Sequence, residues 1–498
     1  MAPISIYTTY QDASIYAQPN SIWRMVLFCI LFYVIIAFLS YFLLREHLPA
    51  GLIATVAVLG ILYPWRTFIV ILLSVALSWV LLGIVGKKFD FNHPHFSAIG
   101  VSIIIAVYFG VSYIQFSQSL DWDENKSLAL PIDITVPPNG VQDKPDIYYI
   151  ILDGYGSEEM LRKLHGYDNS QFTAALKERG FIVPSNSKSN YPRTILSLAS
   201  SLNMQYLDSV SEAMGDSFLW WPLMGTYAHN ETRKFLESQG YQTVVVSSSW
   251  DFTTIKDADI YMRPYSIFLN KFEELQILNT NLSLFQFVSN FGISFPAYNT
   301  HRQVVMYEFE KLKEIPSLGS PKFTFVHIMS PHAPFVFDAE GNFITPDYPF
   351  TFSDDRYFLF PSSKHRKGYL NQLRFINTQV IDVVDAILAN SSTPPIIIIQ
   401  GDHGSSVFTD YNSLDNTCLE ERFSILNAYY LPGIDEVTIP QNISPVNTFR
   451  LIFNYYFSAE LEILPNHNYY SVAATLYQFE DVTDRVDIPC QISEEDMP

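Results

Sequence analysis

Ile147-Tyr148-Tyr149-Ile150-Ile151-Leu152 runs without a break into Asp153-Gly154-Tyr155-Gly156, and the same pattern returns twice downstream. Phe323-Thr324-Phe325-Val326 leads into His327 and then His332, and Ile396-Ile397-Ile398-Ile399 leads into Gln400-Gly401-Asp402-His403-Gly404. Continuous apolar runs rich in β-branched and aromatic residues, without alternation, read as strands buried on both faces. Two further runs, 243–247 and 425–431, have the same character, and segments of helical period lie between them at 157–179, 231–239 and 369–388. Strands alternating with helices predict an α/β fold with a doubly wound, mostly parallel sheet.

An open parallel sheet binds its ligand beyond the carboxyl ends of its strands. The polar residues that follow the apolar runs are therefore the first candidates. They are Asp153, His327, His332, Asp402 and His403, an oxygen and nitrogen set of the kind that holds Zn²⁺, Mn²⁺ or Mg²⁺. Each piece alone has an ordinary reading: Asp-Gly as a turn, a lone His as a hydrogen-bonded core residue, Asp-His as a helix cap. Their joint occurrence at three matched strand ends outweighs those readings.

The segment Ser189-Asn190-Tyr191-Pro192-Arg193-Thr194 supplies a hydroxyl. Pro192 favours an extended chain up to Arg193, while 195–202 has helical spacing, so Thr194 falls at a helix N-terminus. Backbone N–H groups and the helix dipole hold an anion there, and a nearby metal activates a hydroxyl for attack. The alternative is a plain capping threonine. Trp220, Trp221 and Trp250 either wall a substrate or pack in the core.

Charge divides the chain. Only Arg24, Arg45, Arg66, Lys87 and Lys88 among 30 basic residues, and Asp12, Glu46 and Asp90 among 50 acidic ones, precede residue 121. The first part therefore carries +2 and the remainder −22 of a net charge of −20. Such a balance excludes a nucleic-acid partner, because phosphate backbones require a basic surface. Residues 25–44, 67–86 and 96–116 are charge-free runs of about 20 residues, long enough to cross a bilayer as helices. A shorter run at 48–65, broken by Pro and Gly, is read as a fourth span.

The expected organisation is a transmembrane domain at 1–116, a Pro- and Gly-punctuated linker at 117–145 and a catalytic domain at 146–498. Arg45 and the Lys87-Lys88 pair favour cytoplasmic loops by the positive-inside rule, which puts the catalytic domain on the extracytoplasmic side of a multi-pass cell-membrane protein. Cys418 and Cys490 are either paired or two unrelated thiols.

Asp153 in Ile-Leu-Asp-Gly-Tyr-Gly, the Thr194 segment, His327-x-x-x-Pro-His332-x-Pro-Phe335 and Gly401-Asp402-His403-Gly404 resemble, in order, the motifs of the alkaline phosphatase superfamily. The branch they resemble is the sulfatase-like, membrane-anchored one that includes lipoteichoic acid synthases and phosphoethanolamine transferases. The resemblance covers about 145–480. It implies that Asp153, Thr194, Asp402 and His403 bind one divalent cation, with Mn, Zn, Mg and Ca all open, and that Thr194 is the nucleophile. It also implies that His332 acts as acid–base or touches the transferred group, and that His327 does the same or buttresses it.

Arg193 either neutralises substrate charge or is structural. The implied partners are the lipid bilayer and a phosphate-ester or lipid-linked substrate. Two departures bear on the chemistry. The Cys/Ser-x-Pro-x-Arg signature of formylglycine sulfatases is absent, since Tyr191 stands where its proline would be. The Asp-x-x-x-His element of a second metal site is also absent, leaving His332, His365 or His467 as its candidate ligands. The expected activity is hydrolysis or transfer at a phosphate-type ester; sulfuric ester hydrolysis and an inactive scaffold binding glycans or membrane proteins are the alternatives.

Overall fold

The structure, a computed structural model, describes residues 128–136, 144–264 apart from 218, 221 and 249, 296–352 apart from 348, 349 and 351, and 362–490 apart from 436 and 437, with a few positions between 31 and 42. The chain divides into two compact units, residues 1–127 with 269–295 and residues 128–268 with 296–498. In the first unit the described positions are helical and carry exposed apolar side chains, among them Leu31, Val34, Phe38 and Phe42. The expected spans at 48–65, 67–86 and 96–116, and most of 25–44, lie outside the described residues. Among the described residues no helix is long and apolar enough to cross a membrane.

The second unit is built on a six-stranded sheet, β1 (Ile147–Leu152), β2 (Gln242–Val246), β3 (Ile260–Met262), β4 (Lys322–Ile328), β5 (Ile396–Gly401) and β6 (Asn427–Tyr430), in the order β3-β2-β4-β1-β5-β6. The first five run parallel, and β6 pairs antiparallel with β5. Its helices are α1 (Glu158–His165), α2 (Ser170–Glu178), α3 (Thr194–Asn203), α4 (Asp208–Met214), α5 (Leu223–Ala228), α6 (Glu231–Ser238), α7 (Pro296–Glu314), α8 (Ser362–Asn390), α9 (Leu419–Phe423) and α10 (Thr448–Phe457).

Helices cover both faces, as the unbroken apolar strands require. Tyr148, Ile150 and Leu152 of β1 join the core that holds Leu161 of α1, Phe309 of α7 and Leu373 of α8. Tyr149 points the other way, its ring edge-on to Phe449 of α10 at 5.0 Å and its hydroxyl donating to Gln400 Oε1 at 2.6 Å.

Three local features depart from the simple periodic reading. The helical period over 157–179 is realised as two helices, because Ser157 caps α1 by accepting the Met160 N–H and Gly166, at φ 65°, ends it in the left-handed conformation. β3 falls within an aromatic-rich stretch that gave no strand signal. The run 425–431 forms the antiparallel edge strand β6: the 402–426 connection stays at the carboxyl end of β5 instead of crossing a face of the sheet, so the chain can only return downward. Residues 128–131, inside the expected linker, lie against the domain, where Thr226 Oγ1 donates to the Leu128 carbonyl at 2.9 Å and Gln205 Nε2 to the Leu130 carbonyl at 2.6 Å. Cys418 and Cys490 form a disulfide with Cα atoms 5.3 Å apart.

One core residue runs against the binary pattern. Glu308 sits among Val305, Phe309 and Leu312 of α7, is fully buried, and neither of its carboxylate oxygens meets a donor among the described residues. Burial pushes its carboxyl well above the usual range, so the group is held neutral. A carboxyl raised in the folded state contributes its stability below the unfolded value, near 4.3, and loses it as pH rises toward the folded value. Glu308→Met is therefore expected to raise stability by about 2 kcal/mol at pH 8 and by less at pH 5, as read by denaturant melts at both pH values. Equal effects at the two pH values would contradict the assignment.

Candidate active site

The parallel register brings the strand-end residues together. Leu152 pairs with Ile328 on one side and with Gly401 on the other, so Asp153 emerges between the ends of β4 and β5. Asp153, Asp402 and His403 each offer a ligand atom within 4.8 Å of the others, and all three are buried. His403 Nε2 lies 3.3 Å from Asp402 Oδ2 and 3.6 Å from Asp153 Oδ1. Thr194, the first residue of α3, places its Oγ1 3.1 Å from the same nitrogen. Residues 153, 194, 402 and 403, separated by up to 250 positions in sequence, thus meet at one point.

The Gly-Asp-His-Gly loop owes its course to lack of space. A Cβ on Gly401 would meet the Tyr155 carbonyl oxygen at 2.3 Å, and one on Gly404 would meet the Glu421 carbonyl oxygen at 1.9 Å. Backbone replaces side chain at both positions, and the loop closes tightly enough to aim Asp402 and His403 together. Asp402 is further fixed by the Gly154 N–H to Oδ1 at 3.0 Å and by Ser197 of α3 donating to its carbonyl at 2.7 Å.

Histidines surround Asp153. His327 lies with Nε2 3.2 Å from Asp153 Oδ2 and Nδ1 3.0 Å from Thr253 Oγ1, its ring 6.0 Å from that of Trp250. His332 donates its backbone N–H to the Asp153 carbonyl at 3.0 Å. Burial works to raise the Asp153 carboxyl, but the His332 charge, the His327 hydrogen bond and charge and the His403 charge together lower it to about 2. Asp153 is therefore an anion at neutral pH.

The oxygens that remain decide whether a cation fits. Asp153 Oδ1 and Asp402 Oδ2 are buried and accept no hydrogen bond from the described residues. Two buried carboxylate oxygens without donors are costly in a low dielectric, and a divalent cation is their complement. With the His403 imidazole and the Thr194 hydroxyl they form a four-donor set of mixed oxygen and nitrogen, which Zn²⁺ and Mn²⁺ accept. Among the described residues this is the one group of three or more such acidic, His or Cys side chains. His467 lies apart from it, paired with Asp481 at the small β7–β8 sheet (Tyr469–Tyr470 and Glu480–Asp481).

Arg193 is buried beside Thr194. Its guanidinium lies 4.5 Å from the Tyr411 ring centre and 5.9 Å from that of Trp220. Trp220 and Trp250 are half-buried and pack against the buried Phe252 at 5.5 and 5.1 Å, with Trp220 also near Arg193 and Trp250 near His327. Trp221 lies outside the described residues. Sequence reading missed Thr253, Tyr411, Arg422 and His301. His301, on α7, is buried and depressed to about 3 by burial and then by the charges of His332 and Arg302. None of the four follows a strand, so the strand-end rule gave no signal for them.

No curated protein matches the sequence. Among solved structures, the C-terminal periplasmic domain of EptC from Escherichia coli aligns at 11% identity over 71% of this chain and 98% of its own, with a TM-score of 0.45. The corresponding domain of the phosphoethanolamine transferase EptC from Campylobacter jejuni aligns at 12% identity, 65% and 93% coverage and a TM-score of 0.38. A putative sulfatase from Bacteroides thetaiotaomicron aligns at 14% identity, 67% and 75% coverage and a TM-score of 0.40. The sequence itself matches the family described as Sulfatase over residues 145–443, more than half of its length and the whole of the region that carries the strand-end residues. The chain belongs to the sulfatase family.

Proposed function

We propose that this protein is a membrane-anchored, metal-dependent hydrolase or transferase of phosphate-type esters that works through a covalent intermediate on Thr194. The carrying observation is the meeting of the Thr194 hydroxyl, at the start of a ten-residue helix, with His403 at 3.1 Å beside two buried carboxylates. Asp153, Thr194, Asp402 and His403 would hold the cation. When bound, it would lower the pKa of the Thr194 hydroxyl and offset charge on the ester oxygens.

The chain's own residues account for the remaining steps. Thr194 Oγ1 gives its proton to solvent and attacks phosphorus in line; the Thr194–phosphorus bond forms as the bond to the leaving alcohol breaks. The free N–H groups of the first turn of α3 face the growing negative charge, and Arg193, held between Tyr411 and Trp220, adds a positive charge on the same side. His332 supplies the proton to the leaving oxygen. Water or a second hydroxyl then takes the phosphoryl group and frees Thr194. Water makes the enzyme a hydrolase; an alcohol on a lipid or glycan makes it a transferase.

Two observations favour an extracytoplasmic site on a membrane protein. The charge-free runs before residue 117 are long enough to span a bilayer, and the Cys418–Cys490 disulfide belongs to an oxidising compartment. Sulfuric ester hydrolysis is the second reading, favoured by the family match. Thr194 counts against it, because a threonine side chain does not yield the formylglycine aldehyde.

Aryl phosphate mono- or diester turnover by the full chain is expected to fall by at least about 10³-fold in Thr194→Ala and to survive in part in Thr194→Ser. Mass spectrometry of substrate-treated protein should find an adduct on Thr194 whose mass names the transferred group. Undiminished turnover in Thr194→Ala would sink this reading, and aryl sulfate turnover exceeding that of phosphate would move the assignment to the sulfatase one.

Chelation gives a separate test. Mn²⁺ or Zn²⁺ at about 100 times its Kd should stabilise the wild type by about 2.7 kcal/mol. Asp402→Asn should show little such gain, yet melt no lower than wild type in chelator because one of the buried carboxylates is neutralised. A divalent-induced shift of wild-type size in Asp402→Asn would remove Asp402 from the ligand set.

A further inference from the structure

We propose that Arg422 is a positioning residue that fixes the His403 imidazole and the Thr194 segment relative to each other, an inference that rests on the metal site described above. Arg422 is among the largest side chains buried almost completely. Its Nε donates to the Pro192 carbonyl at 2.7 Å, and its Nη1 donates to the Gly404 carbonyl at 3.1 Å. One planar group therefore joins the backbone two residues before the nucleophile to the backbone one residue after the histidine ligand. The stem of Arg422 is tied as well, since its carbonyl accepts the Gly404 N–H at 2.7 Å.

The Gly404 carbonyl has a second donor. His403 Nδ1 lies 3.0 Å from it. A carbonyl only accepts, so this contact requires the proton on Nδ1. The Nε2 lone pair is then directed to the point where Thr194 Oγ1, Asp402 Oδ2 and Asp153 Oδ1 converge. By holding the Gly404 carbonyl in place, Arg422 sets both the tautomer and the orientation of the ligand, the role that outer hydrogen-bond partners play at metal sites. Lysine cannot substitute, because a single ammonium nitrogen does not span two carbonyls in the fixed geometry of a guanidinium.

The element that carries Arg422 is anchored on three sides. Cys418 caps α9, its sulfur accepting the Glu421 N–H at 3.3 Å, and is bonded to Cys490. Glu421 accepts the Val407 N–H at 3.1 Å and the Phe408 N–H at 2.8 Å and lies 3.2 Å from His165 Nε2. The Arg422 guanidinium also stands 5.1 Å from the centre of the Tyr411 ring, whose contact with Arg193 is described above.

Mn²⁺ binding by equilibrium dialysis and aryl phosphate turnover are measured on the full chain as wild type and Arg422→Lys. The variant is expected to bind Mn²⁺ about 10- to 100-fold more weakly and, at saturating Mn²⁺, to keep a reduced kcat, because the Pro192 link to the nucleophile segment is also lost. Wild-type Mn²⁺ affinity together with wild-type kcat would overturn the proposal. If Arg422→Lys does not fold, the decision passes to ¹⁵N NMR of metal-free wild type at a pH where His403 is neutral, with His403 assigned by difference from His403→Asn. A proton on Nδ1 supports the proposal, and one on Nε2 overturns it. Neither metal affinity nor tautomer depends on the covalent step, so turnover persisting in Thr194→Ala would end that reading and leave this one standing.

Discussion

The parallel pairing of β1 with β4 and β5 is the constraint on which the site depends. Because the three strands run the same way, their carboxyl ends lie on one edge, and because Leu152 pairs with both Ile328 and Gly401, that edge is level. A slip of one residue in either ladder would turn the side chains of a whole strand to the opposite face. Such a slip is strongly resisted, since every residue of β1 and β5 is buried and each face packs against different helices. The same apolar runs that hold the core thus hold the register, and the register delivers the polar residues.

What the edge collects is electrostatically demanding. Asp153 and Asp402 are nearly inaccessible, and one oxygen of each, both near His403 Nε2, has no donor among the described residues. The fold offsets part of this cost with protein groups: His327 near Asp153 and the Gly154 N–H on Asp402. It leaves Asp153 Oδ1 and Asp402 Oδ2 without a donor among the described residues. Supporting contacts on the outer atoms and bare oxygens toward the centre distinguish a binding site from a buried ion pair, in which both partners are supplied by the chain.

The parts of this arrangement legible in sequence were those carried by local pattern. The apolar runs 147–152, 323–326 and 396–399 lie within β1, β4 and β5, so Asp153, His327, Asp402 and His403 were found by looking one to four residues past each run. Thr194 was found because Pro192 and the helical spacing after it mark a helix start. Arg422 left no such mark. In Leu-Glu-Glu-Arg-Phe it reads as one more charged residue on a short helix, and its burial results from contacts with Pro192 and Gly404, which lie 230 and 18 positions away. The antiparallel direction of β6 was hidden for a related reason, since the direction of a strand depends on where its connection runs and not on its own composition.

That connection links the two halves of the site. Residues 402–426 leave the carboxyl end of β5, pass through Asp402 and His403, turn through α9 and come back beside the same strand, where Asn427 pairs with Gln400. The excursion never leaves the functional edge, so it serves as a second layer over it. A loop of this length loses considerable conformational entropy when ordered, and three devices restrain it: the Glu421 contacts to 407 and 408, the close approach of Gly404 to α9, and the disulfide from Cys418 to Cys490. The disulfide closes a segment separated by 72 residues, and in the chain-entropy account a link of that span constrains the unfolded chain more than a short one does. The sheet positions Asp153, but the order of this returning loop holds Asp402 and His403 against it, and of the groups that fasten the loop only Gly404 belongs to the strand-end motifs, while Glu421, Cys418 and Cys490 lie outside them.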